Sequence, residues 1–140
     1  DEKNNHEYFA HKYKISNEIK DKLNLFAKDL KLLRENKDFF DKDLEKNIYL
    51  NNKNYLINLN ILNFVSNSKY KLKYFSDIFK RILQSKVHTF PIDGKYLMQH
   101  GMKEGSIIGI VLKKIEEEWI NNTFKISKER VNEIIRLNVN

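Results

Sequence analysis

Asp41-Lys42-Asp43 sets two carboxylates one residue apart, the spacing with which nucleotidyl-transfer enzymes hold a pair of magnesium ions. That use requires a rigid strand and a nearby Gly-Ser turn for the triphosphate, and neither stands near these residues. At the start of a helix, acidic residues instead complement the positive dipole end. His6-Glu7 with His11 resembles a zinc-protease pattern, but five residues rotate by about 140° around a helix, so the two imidazoles cannot face one metal. His88 and His100 are lone histidines, and Gly94-Lys95 lacks the rest of a phosphate loop. No Ser, His and Asp follow the order of a known triad. The absence of cysteine excludes disulfides, zinc ribbons, iron–sulfur clusters and thiol nucleophiles. The chain by itself reads as non-catalytic.

What remains is charge. The 140 residues hold 26 Lys+Arg against 19 Asp+Glu, a net charge of +7, with a pI near 9.4. A polyanion, whether nucleic acid or an anionic surface, is the partner class this balance suits. Abundant Lys, Asn and Ile also follow from AT-rich codon usage, so a merely Lys-rich surface is the competing reading. Apolar residues make up 41%, too many for a disordered chain. The longest apolar run, Ile107 to Leu112 read across Gly109, falls far short of the roughly 20 residues of a membrane helix, so no membrane partner is expected. Asp1 to Asn5 show no initiator Met and no signal pattern, and the chain reads as a piece of a longer one.

The elements that carry these residues all read as helices. Four Gly and one Pro are very few, and all five fall between Pro91 and Gly109, which disfavours hairpins and divides the chain into a helical body, 1–87, and a Gly-punctuated tail, 88–140. In the body, Ser16 caps a helix with Ile19, Leu23, Phe26, Leu30 and Leu33 inward. A second helix starts near Asp41 with Leu44 and Ile48 inward; a third carries Leu56, Leu59, Leu62 and Val65. A fourth, from Tyr70, buries Leu72, Phe75, Ile78, Phe79, Ile82 and Leu83, and sets Lys69, Lys73, Ser76 and Lys80 within about 40° of one line as a basic stripe. The expected class is all-α, a helical body followed by a short helical hairpin tail.

Within the tail, Pro91 forces an extended approach, Asp93 caps a short helix to about His100, and Gly101 ends it in a left-handed conformation. Gly105 opens a long helix from Ser106 to about Asn121, with Ile107, Ile108, Val111, Leu112, Ile115 and Trp119 on one side and Ile110, Lys113 and Glu117 opposite. Trp119, in register with Leu112 and Ile115, reads as a core anchor before it reads as a base-stacking platform. Gly105 and Gly109, four apart, are expected to let the short helix approach closely. The N–H groups of Gly105, Ser106 and Ile107 also form a seat for an anion, with Lys103 close by and Glu104 opposing. Ser127 caps a last helix with Val131, Ile134 and Ile135 inward and Arg136 near its C-terminus.

The stretch Phe90 to Trp119, FPIDGKYLMQHGMKEGSIIGIVLKKIEEEW, resembles the C-terminal region of bacterial-type tRNA nucleotidyltransferases, the CCA-adding enzymes, and of the related poly(A) polymerases. Pro91, Gly94, Leu97, Gly101, Gly105, Ile108, Gly109, Leu112, Glu116 and Trp119 carry the likeness, while Tyr96 stands where the family usually has Asp. The resemblance implies an all-α body and tail that grip tRNA so that its 3′ end reaches an N-terminal catalytic head. That head, with the magnesium-binding aspartates and the CTP and ATP sites, would lie outside this sequence, so no cofactor is expected on the chain itself. It implies the cytoplasm for a bacterial parent and an organelle otherwise.

The residues expected to contact phosphate are Lys95, Lys103, Gly105, Ser106, Lys113 and Lys114, with Lys69, Lys73 and Lys80 as a second set. Lys and backbone donors suit RNA arms recognised through shape, phosphates and 2′-hydroxyls. Two alternatives stay open. Gly101-Met102-Lys103-Glu104-Gly105 also resembles the hairpin of a helix-hairpin-helix DNA-binding module, and a helical protein-interaction scaffold would carry its charge incidentally.

Overall fold

A computed structural model describes residues 5–14 and 16–139; residues 1–4, on which the reading of a cut chain rests, lie outside them. The protein is all-α, with no strand among the described residues. It divides into two compact units, Asp1–Val87 and His88–Asn140.

The first unit holds α1 (Asn5–Tyr13), α2 (Asn17–Glu35), α3 (Leu44–Asn51), α4 (Lys53–Ser66) and α5 (Leu72–Gln84). α4 packs against α2, α3 and α5, and α1 packs against α2. Phe39, Phe40, Leu44, Ile48, Leu56, Leu59 and Ile82 form the core, flanked by Phe26, Leu30, Leu33 and Ile78. Ser16 caps α2 as expected, its Oγ accepting from the Ile19 N–H at 3.4 Å, although the Ile19 side chain itself is exposed. α3 opens at Leu44, after a turn over residues 38–43, rather than at Asp41. Asn52, at φ +76°, separates α3 from α4 and accepts from the Tyr55 N–H at 3.0 Å. With ψ at +162° this backbone lies outside the left-handed helical well, in a region that residues other than glycine rarely adopt, and the bond to Tyr55 helps to hold it.

Two helical faces differ from expectation for a geometric reason. On α4, Leu62 and Val65 are exposed, because at 100° per residue the line through Leu56 and Leu59 continues through Asn60 and Asn63. Both asparagines are buried and bonded. Asn60 donates from Nδ2 to the Phe75 carbonyl at 3.1 Å and accepts at Oδ1 from the Tyr70 hydroxyl at 2.7 Å. Asn63 Oδ1 accepts from Arg34 Nε at 3.3 Å. On α5 the inward line is centred on Ile82, with Phe75, Ile78 and Phe79 beside it; Leu72 and Leu83 fall about 80–100° to the side and are exposed. Lys53 Nζ donates to the Leu83 carbonyl at 2.7 Å, a cation at the negative end of α5.

The second unit holds α6 (Gly94–Gln99), α7 (Ser106–Asn121) and α8 (Lys128–Asn138) around Leu97, Met102, Val111, Ile115, Val131, Ile134 and Ile135. Asp93 caps α6, accepting from the Tyr96 N–H at 2.8 Å, and Ser127 caps α8, accepting from the Arg130 N–H at 3.1 Å. Gly101 at φ +102° closes α6, and Gly105 at φ +157° with an extended ψ precedes α7; only glycine adopts such backbone without strain. The close approach of α6 to α7 is not made at Gly105 or Gly109, where an added Cβ would meet nothing within 4 Å. It is made at Gly94, where a Cβ would lie 3.4 Å from Ile108 Cγ2. Gly109 lies instead on the solvent side of α7, and Ile107 is likewise exposed. Trp119 is buried at 5% exposure, and the left-handed pair Thr123 and Phe124 lays the Phe124 ring edge-on against it.

α7 and α8 are tied by Arg130, which donates to both Glu118 oxygens at 2.6 and 3.0 Å and to Glu133 at 2.8 Å. The guanidinium holds the Glu118 carboxyl below the usual carboxylate range. A lowered folded pKa stabilises above the unfolded value of 4.5 and ceases to do so as pH falls through the folded one. Arg130→Met is therefore expected to lower the thermal midpoint at pH 7, with the gap to the parent chain closing below pH 4.5, as followed by circular dichroism at a series of pH values.

Candidate nucleic-acid interface

The excess charge is unevenly shared. Residues 1–87 carry 18 Lys+Arg against 12 Asp+Glu, a net +6, whereas residues 88–140 carry 8 against 7, a net +1. The positive field of the chain therefore resides chiefly in the first unit. Its most basic part is the segment 67–87, where Lys69, Lys71, Lys73, Lys80, Arg81 and Lys86 face a single carboxylate, Asp77.

Of the residues expected there, Lys73 and Lys80 stand exposed on α5, but Lys69 does not belong to that helix. It lies in the turn before it, closed by the Tyr70 N–H donating to the Asn67 carbonyl at 2.9 Å. The turn ends α4 and starts α5 at Leu72, so the stripe does not extend back to residue 69. Asp77 is also exposed on the same side, about 40° from Lys73, and divides the stripe. Arg81 is engaged by Asp41 at 3.0 Å. Lys69, Lys71, Lys73, Lys80 and Lys86 are exposed and make no ion pair among the described residues.

The tail set is placed differently. Lys95 is exposed on α6, Lys103 in the turn, and Gly105 and Ser106 at the start of α7, where the Ile108 N–H donates back to the Gly105 carbonyl at 3.2 Å. Ser106, Gly109, Ile110, Lys113 and Glu117 form one exposed side of α7, with Lys113 about 10 Å along the axis from Ser106. Lys114 points off this line, and its charge helps depress Glu118. Glu116, Glu117 and Glu118 follow directly, which leaves this unit with little net field.

Beside the basic segment the first unit opens a cleft of about 350 Å³, lined by Arg34, Lys37, Asn63, Asn67, Tyr70 and Tyr74 over a floor of Leu33, Phe40 and Ile78. No carboxylate lines it. Arg34, in the last turn of α2, is fixed by its bond to Asn63 and by donating from Nη2 to Ser66 Oγ at 2.8 Å. Asn60 fixes Tyr70 through its hydroxyl, and burial pushes that phenol up to about 12. Tyr55 is also raised, by burial and by its 2.7 Å bond to the carboxylate of Asp29. The cleft as a whole has no signature in the sequence because its residues come from α2 and the turn after it, from α4 and the turn after it, and from α5. A signal for part of it was present: residues 69–74 alternate Lys69, Lys71 and Lys73 with Tyr70, Leu72 and Tyr74, the interleaving of cations and rings found in nucleic-acid binders.

The other motifs have structural surroundings. Asp41 pairs with Arg81, and Asp43 occupies the position before α3. His88 stacks on Phe124 with ring centroids 3.8 Å apart, and His100 stacks on Tyr96 at 4.1 Å. Among the described residues no three His, Asp or Glu side chains gather as a metal site, and no helix is long and apolar enough to cross a membrane. Compared with protein-family models, with curated proteins and with solved structures, the chain matches none.

Removing the Tyr70 hydroxyl orphans the buried Asn60 oxygen, so Tyr70→Phe is expected to cost about 1–3 kcal/mol at neutral pH. The folded state also holds this proton more tightly than the unfolded chain does, so its contribution is whole below pH 10 and is lost as pH climbs toward 12. Urea unfolding between pH 10 and 12 should show stability falling less steeply in the variant than in the parent chain, with Tyr55 contributing to the slope that remains.

Proposed function

We propose that the chain is an RNA-binding module whose phosphate contacts are made mainly by the first unit, through Lys69, Lys71, Lys73, Lys80 and Lys86. The observation that carries this is the concentration of exposed lysines without ion pairs in a segment that holds one carboxylate. Unpaired surface cations keep their full charge for a polyanion and release its counterions on binding. Lys95, Lys103, Gly105, Ser106, Lys113 and Lys114 are secondary contacts in this reading, because the carboxylates around them offset their field.

The likeness of residues 90–119 to CCA-adding enzymes and poly(A) polymerases names the RNA in this reading as tRNA, held for a catalytic head elsewhere. Magnesium, CTP and ATP belong to that head. Among the described residues the acidic side chains do not gather into a ligand set, and the part this reading gives the chain is binding and orientation. The reversal of backbone between α6 and α7, through Gly101 and Gly105, also favours one second reading, a helix-hairpin-helix grip on duplex DNA.

Fluorescence anisotropy of the full chain with labelled tRNA should show log affinity falling with log salt by about 0.7–0.9 per phosphate neutralised. Lys71→Gln with Lys73→Gln should lower that slope by about 1.4–1.8, more than Lys113→Gln with Lys114→Gln does. A flat salt response would refute polyanion binding. Stronger binding to a DNA duplex of equal length would replace RNA by the second reading.

A further inference from the structure

We propose that the cleft formed by α2 and the turn after it, α4 and the turn after it, and the start of α5 seats one unstacked nucleotide of a single-stranded RNA segment, its base against Tyr74 and Tyr70 and its phosphate on Arg34 and Lys37. The inference rests on the RNA-binding reading above and adds to it a site that phosphate neutralisation alone does not require.

Four observations converge on this ligand. The volume, about 350 Å³, lies within the range of small-molecule sites and is too small for a helix or a strand pair. Both charged residues in the lining, Arg34 and Lys37, are cations, which suits a phosphate and excludes a cationic ligand. The amides of Asn63 and Asn67 accept through their oxygens from Arg34 Nε at 3.3 Å and from the Lys69 N–H at 3.1 Å, and their Nδ2 groups stand outside those bonds as donors for the carbonyl oxygens of a nucleobase. Tyr74 is 62% exposed on the rim, and a ring held partly in water is placed to cover a flat heterocycle without displacing core packing.

The site is also organised in advance. Arg34 commits Nε to Asn63 and Nη2 to Ser66, which fixes the plane of the guanidinium and leaves Nη1 outside those bonds. Tyr70 cannot swing out of the wall while its hydroxyl is held by Asn60, a residue with 0% exposure. A binder whose ring and cation already stand in place loses little conformational freedom on binding. Lys69, Lys71 and Lys73 flank the wall formed by Tyr70 and Tyr74, where neighbouring phosphates of the same strand would run.

The test uses the full chain with a labelled octamer of uridine, a fully paired RNA hairpin and free UMP. Tyr74→Ala should weaken the octamer by about 5- to 150-fold, the loss of one base stack, and leave the hairpin unchanged. Tyr74→Phe should restore octamer binding. Tyr8→Ala removes a tyrosine of similar exposure, 66%, outside the cleft, and should change neither ligand. Lys37→Gln should lower the salt slope for the octamer by about 0.7. Octamer binding unaffected by Tyr74→Ala, with hairpin binding intact, overturns the nucleotide seat and leaves the RNA-binding reading standing. Equal losses on octamer and hairpin overturn it as well, since a ring on a general surface would behave so. UMP binding as tightly as the octamer makes the occupant a free nucleotide and overturns the strand. Failure of both RNAs to bind removes seat and reading together.

Discussion

Asn60 is the residue on which the first unit turns. It lies on α4, the helix that α2, α3 and α5 all pack against, and it is wholly removed from water. A buried amide is costly unless both of its ends are bonded. Here one end reaches the Phe75 carbonyl in α5 and the other the Tyr70 hydroxyl in the turn before it. Those two bonds set the height of the 67–75 segment against α4, something apolar contact alone leaves free to slide. Tyr70, the lysines on either side of it and the wall of the cleft take their positions from that setting. Asn63, one turn on, does the same for Arg34 across α2.

The helices were legible because the punctuation was unambiguous. Ser16, Asp93 and Ser127 each accept the backbone bond their residue type favours, and Gly101 takes the backbone that a side chain resists. The buried faces were legible only where apolar residues mark them. On α4 two of the inward positions are asparagines, so the leucine and valine pattern points to Leu62 and Val65, which lie on the far side. On α5 it took in Leu72 and Leu83, which border the buried line without joining it. The glycine spacing misled for a related reason. Gly105 and Gly109 share a side, but that side faces solvent, and the helix contact is made at Gly94.

The candidate interface was less legible than the fold. Lysines on a helix can be counted from sequence, yet the carboxylates that offset them are assigned only once the helix is built, as Asp77 and Glu117 show. The candidate contacts with proportionally the least opposing charge consequently lie in the body, with 18 cations to 12 carboxylates, rather than in the glycine-punctuated tail, with 8 to 7. A cleft assembled from α2, α4, α5 and the turns after α2 and α4 has no single window in which its residues are neighbours, so only its wall of Tyr70 and Tyr74, set among lysines, left a local trace.

Trp119 is the sole indole of the chain, and it lies packed between Phe90 and Phe124 in the core of the second unit. Six of the seven tyrosines belong to the first unit. Light absorbed and emitted by the indole thus reports on residues 88–140, while phenol absorbance reports mainly on residues 1–87. The two halves of this molecule carry separate optical labels by composition alone, and each can be watched melting without a dye or an engineered probe.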